Sequence, residues 1–99
     1  MASDFKLFWT AEAIQNLEAI LAYLANRWTE KEINHFKIIL GKQIELIEHN
    51  PYLFPVSEYN NRLRKAVLSR QTTVFYEVSG KVIYIVFLFN TNQDINKIT

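Results

Sequence analysis

Eight consecutive apolar residues, VIYIVFLF at 82–89, limit what this chain can fold into more than any other stretch. A bilayer-spanning helix needs about 20 apolar residues, so the run is too short to be one. It is rich in β-branched and aromatic residues, which favour a strand. Successive side chains of a strand point to opposite faces. Ile83, Ile85, Phe87 and Phe89 should therefore point one way, and Val82, Tyr84, Val86 and Leu88 the other. Neither set is polar, so both faces of the strand need cover.

The rest of the chain supplies one cover. FKLFW at 5–9 is short, aromatic and alternating, and reads as a first strand. Thr10 is a suitable N-cap, with Glu12 near the positive end of the helix that follows. Ile14, Leu17, Leu21, Leu24 and Trp28 form a stripe at helical spacing, which predicts an amphipathic helix over 11–27. Thr29-Glu30-Lys31-Glu32 is a capping box. It opens a second helix with the stripe Ile33, Phe36, Leu40, Ile44 and Ile47, and Pro51 ends that helix. So short a connection makes the two helices a hairpin. A loop over 50–61 contains both prolines, and strands follow at about 62–69, 73–79 and 82–89, with a tight turn at Ser79-Gly80. The order β-α-α-β-β-β predicts an α+β domain with the helical hairpin on one face of a mainly antiparallel sheet. The other face is left to the loop, through Tyr52, Leu53, Phe54 and Tyr59, or to the C-terminal tail, a partner or a second copy of the chain.

Composition narrows the class. With 99 residues, 49% hydrophobic, the chain can build one modest core and is no disordered tail. Residues 1–99 are read as a single domain whose polar tail after about 90 frays. There is no cysteine, hence no disulfide and no thiolate metal site, which fits a cytoplasmic protein. No signal-peptide pattern opens the sequence. His35 and His49 lie on one helix roughly 21 Å apart, at about 1.5 Å per residue, and cannot share a metal. No phosphate loop or nucleophile motif is present, so no cofactor and no metal are expected.

Net charge is only +1, yet three of the four arginines fall within RLRKAVLSRQTTVFYEV at 62–78. On a strand, Arg62 and Arg64 would project side by side, with Lys65 and Arg70 close by. Paired guanidinium groups suit phosphate or carboxylate, and Tyr59, Phe75 and Tyr76 could stack on bases. The alternative is that the cations guard a strand edge against aggregation.

The first aromatic strand, the hairpin with Trp28 near its tip, NPYLFP, RLRKAVL and TTVFYEVSGKVIYIVFLFN together resemble the RelE/ParE toxin superfamily of bacterial type II toxin–antitoxin modules, the plasmid-stabilisation proteins. The resemblance spans about residues 5–94 and lies nearer the ParE-like branch. It implies a small toxin that assembles with, and is neutralised by, a cognate antitoxin whose extended and helical segments wrap it. Tyr84, Val86, Leu88 and Phe75 would then meet the antitoxin, and Arg62, Arg64, Lys65 and Arg70 the target. ParE-like members block DNA gyrase, whereas RelE-like members cleave mRNA on the ribosome. For a nuclease the candidate groups are Arg62, Arg64, Arg70 and Tyr76, but Thr73 stands where such a sequence would carry a cation. After Asn90 the chain reads Thr91-Asn92-Gln93, with no Arg, His or Tyr. The expectation is a toxin acting by binding, with an mRNA endonuclease or a non-toxic interaction domain as alternatives.

Overall fold

The computed structural model describes residues 4–91, so Asn92, Gln93 and most of the tail expected to fray lie outside the described residues. The elements run β1 (Lys6–Trp9), α1 (Ala11–Arg27), α2 (Glu30–His49), β2 (Arg64–Val67), β3 (Thr72–Ser79) and β4 (Val82–Asn90). This is the expected α+β order. The sheet is mixed, in the order β1-β4-β3-β2, with β1 parallel to β4 and the other pairs antiparallel. The long apolar strand therefore sits between two neighbours, which accounts for its lack of polar positions.

Local chemistry sets the helix boundaries. The Thr10 hydroxyl accepts from the Ala13 N–H at 3.1 Å and also donates to the Val86 carbonyl at 2.7 Å, tying the start of α1 to β4. At α2, the Glu32 carboxylate accepts from the Thr29 N–H at 3.1 Å and from the Thr29 hydroxyl. The Thr29 hydroxyl bond, with backbone hydrogen bonds, holds the Glu32 carboxyl below its ordinary value. The turn between β3 and β4 has Gly80 at φ +59°, a left-handed conformation that costs a residue with a Cβ about 1–2 kcal/mol.

The core lies between the hairpin and one sheet face. Ala13 and Ile20 of α1 and Leu40 and Ile47 of α2 pack with Ala66, Val74, Tyr76, Ile83, Ile85 and Leu88. The α2 stripe is as expected. The α1 stripe is rotated: Ala13, Leu17, Ile20 and Leu24 face the core, while Ile14 and Trp28 are exposed. A small residue at position 13 brings the helix close to the sheet, and the predicted stripe gave it no weight.

The two faces of β4 also differ from strict alternation. Phe75 pairs with Phe87 but Tyr76 pairs with Ile85, leaving Val86 as an extra residue in a bulge. One inserted residue exchanges the faces of everything after it. Leu88, expected on the second face, is buried with Ile83 and Ile85 in the core, while Phe87 and Phe89 turn to the second face. β2 is shorter than the predicted 62–69, and Arg62 lies outside it in a turn, where its N–H donates to Asn60 Oδ1 at 2.9 Å.

Candidate binding face

The segment 50–63 does not spread across the second face as one of the readings expected; most of it closes the β2 edge. Val56 forms an antiparallel bridge with Arg64, Ser57 N–H donates to the Leu63 carbonyl at 2.7 Å, and Lys65 N–H donates to the Pro55 carbonyl at 3.0 Å. Two side chains hold this strap from within. Tyr76, fully buried, donates its hydroxyl to the Pro51 carbonyl at 2.6 Å and meets the Phe54 ring edge-on at 6.3 Å. Arg64 donates to the Phe54 carbonyl at 2.7 Å and lies over the Tyr52 ring at 5.1 Å. Burial pushes the Tyr76 phenol up to about 12, against the opposing pull of the Arg64 charge.

Those bonds decide where the basic residues can act. Arg62 and Arg64 do not project together: Arg64 is half-buried against the strap, and Arg62 stands exposed in the turn before β2. Arg70 is exposed in the turn between β2 and β3. Lys65 sits on the face away from the helices, opposite Phe75, 3.5 Å from Glu58. Tyr76, a nuclease candidate by sequence, is a core residue whose hydroxyl is already committed. A phenol in that setting is poorly placed to exchange protons with a substrate.

The second face is aromatic. Phe75 and Phe87 stack with centroids 4.6 Å apart and planes 19° apart, and Phe89 continues the row along β4. With Ser57, Tyr59, Asn60 and Leu63 from the end of the strap, they line an open groove of about 400 Å³. Tyr59 stands on its rim, 86% exposed. Farther across the sheet, Tyr84 meets Phe8 of β1 edge-on at 5.6 Å. Of the residues expected to meet an antitoxin, Phe75 and Tyr84 are on this face, Val86 is the bulge residue, and Leu88 is not available. Sequence reasoning missed Phe87 and Phe89, since a bulge within a wholly apolar strand leaves no mark on its pattern, and Leu63, which was assigned no role.

Among the described residues no cluster of three or more His or acidic side chains could hold a metal, and no helix is long and apolar enough to cross a membrane.

Solved structures share this arrangement. A chain from the chromosomal ParDE toxin–antitoxin system of P. aeruginosa superposes with a TM-score of 0.74 at 20% identity, over 87% of this chain and 95% of that one. A chain of the E. coli DinJ-YafQ toxin-antitoxin complex gives 0.60 at 9% identity, over 90% and 94%. HP0894 of Helicobacter pylori, a conserved hypothetical protein, gives 0.58 at 12% identity, over 90% and 97%. The fold is that of the RelE/ParE toxins. No curated protein matches the chain by sequence. The family model of the "ParE toxin of type II toxin-antitoxin system, parDE" matches residues 7–95, and the chain belongs to that family, as a type II toxin.

Proposed function

We propose that this toxin arrests growth by binding a topoisomerase of the gyrase type, without cutting RNA, and that an antitoxin silences it by covering the aromatic face of the sheet. One observation carries the choice of binding over cleavage. Two of the four residues that a nuclease would recruit, Arg64 and Tyr76, are engaged by the Phe54 and Pro51 carbonyls and hold the strap in place. The exposed cations Arg62 and Arg70, with Lys65, are then the residues that meet the target. Phe75, Phe87, Phe89, Tyr59 and Tyr84 offer an antitoxin an apolar surface with aromatic anchors, the residue type that dominates binding energy at interfaces.

Expression of the chain without its antitoxin tests this. Arrest with DNA-damage signalling and intact mRNA is the expected result. Arrest with mRNA cut on ribosomes would replace the reading by an endonuclease, and harmless high expression would make the chain an interaction domain only. Arg62→Ala combined with Arg70→Ala should weaken arrest more than Lys81→Ala, with no loss of folded protein.

A further inference from the structure

The β1 edge of the sheet is built differently from the strapped β2 edge. β1 pairs only with β4, and its first neighbouring amides show the phase: the Lys6 and Thr10 N–H groups donate to the Lys81 and Ile85 carbonyls at 2.8 and 3.0 Å. In a strand, N–H and C=O groups alternate sides from one residue to the next. The backbone groups of Leu7 and Trp9 therefore point outward from the sheet. Nothing in the described chain pairs with this edge as a strand. The edge is guarded only by its four-residue length and by Lys6, since KLFW contains no proline, no bulge and no acidic residue. Beside the edge, on the face away from the helices, stands Phe8, 56% exposed.

We propose that this edge is a docking surface for a second copy of the chain, the two β1 strands pairing antiparallel about a two-fold axis at Phe8. The register follows from the alternation. A two-fold axis perpendicular to the sheet keeps the faces of both copies aligned, so paired residues must share a face. Centring the axis on Phe8 sets Leu7 of one copy opposite Trp9 of the other, twice, and both residues have outward backbone groups. Each such pair exchanges two hydrogen bonds, giving about four in all. Centring on Leu7 or on Trp9 would give about two.

The side chains fit the same choice. Phe8 meets Phe8 as a non-hydrogen-bonded pair, where side chains approach most closely, and two half-exposed aromatic rings cover each other. Leu7 and Trp9, already packed against the core, meet on the helix side. Lys6 falls opposite Thr10, so no like charges face each other. A different protein could add a strand to any open edge, but this register makes the edge complementary to itself. The result is a continuous eight-stranded sheet in which neither copy uses its aromatic groove.

Sedimentation of the purified chain tests the proposal. The wild type should associate to a dimer as concentration rises. Phe8→Lys and Phe8→Glu should each weaken self-association by roughly tenfold or more, because the axis sets like charges opposite each other. An equimolar mixture of the two variants should recover the dimer, a result that only the pairing of position 8 with itself explains. A wild type that stays monomeric at every concentration would overturn the proposal, as would charged variants that dimerise like the wild type. Amide hydrogen exchange on the wild type gives a check that needs no variant. The Leu7 and Trp9 amides should slow with increasing concentration. If they slow only when a different protein is added, the edge belongs to that protein and the proposal falls.

Discussion

The two edges of the sheet receive opposite treatment. At β2 the chain folds back on itself, with the Val56–Arg64 bridge, two backbone hydrogen bonds at 2.7 and 3.0 Å, and the Tyr76 and Arg64 side chains holding the strap. At β1 the described residues provide no such cover, and Phe8 stands out beside the open backbone. The difference bears on the cluster of cations at 62–70. Cations are a common guard for an exposed edge, but the β2 edge is closed by backbone. Arg64 works there as a clamp, and Arg62 and Arg70 are left to face outward.

The sharpest way to break this contrast is to remove the aromatic that holds the strap from β3, Tyr76, and the one beside the β1 edge, Phe8. Tyr76→Ala empties a fully buried site and should cost about 3–5 kcal/mol. Phe8→Ala removes a ring that is more than half exposed and should cost less than about 1 kcal/mol. Urea unfolding of both variants measures the gap. Equal losses would mean that the β1 edge is as closed in the free chain as the β2 edge.

A finer cut keeps the ring and removes only the hydroxyl. Tyr76→Phe leaves the Pro51 carbonyl without its donor and should cost about 1–3 kcal/mol. The same group makes a pH prediction. Its folded value of about 12 lies above the ordinary 10, so the native state disfavours the phenolate relative to the unfolded chain. This contribution is whole below pH 10 and is lost as pH rises through 12, amounting to up to about 2–3 kcal/mol. Denaturation midpoints taken across that window should fall less steeply for Tyr76→Phe than for the wild type. Parallel curves would mean that the phenol is not buried as described.

The two neighbouring arginines should separate in the same way, on a smaller scale. Arg64→Ala loses a charge-assisted hydrogen bond and a contact with the Tyr52 ring, and should cost about 1–2 kcal/mol after allowance for its partial exposure. Arg62→Ala should change stability by less than about 0.5 kcal/mol, since its side chain stands exposed. If both variants unfold alike, the clamp assigned to Arg64 is wrong.

Much of this fold was legible in the sequence because its signals are local. Thr10 and the Thr29–Glu32 box mark the helix starts, Pro51 ends α2, and Gly80 marks the hairpin. Non-local facts were not legible. The extra residue at Val86 moves Leu88 into the core and Phe87 and Phe89 out of it, and an unbroken apolar run gives no warning of such a shift. Arg62 and Arg64 looked equivalent because they are two residues apart on an assumed strand. What divides them is the Phe54 carbonyl, ten residues away in sequence, and a turn that delays β2 until Arg64. The aromatic groove was foreseen only in part: the need for a second cover was plain from VIYIVFLF, but its lining depends on the bulge and on where the strap ends.

A further prediction concerns how the open edge is held to the sheet. The first amide of β1, that of Lys6, donates to the carbonyl of Lys81, and the Lys81 ammonium lies 5.2 Å from the centre of the Phe5 ring. Both contacts come from the two-residue turn that Gly80 opens. A Cβ at position 80 would meet no atom within 4 Å, so Gly80→Ala tests backbone conformation and not packing. At φ +59° the substitution should cost about 1–2 kcal/mol by thermal or urea unfolding. If the turn anchors β1, the Lys6 amide should also exchange faster in this variant, while the amides of β2 keep wild-type rates. Faster exchange at both edges would instead mean that the turn stabilises the sheet as one unit, and that the two edges differ in exposure but not in how they are held.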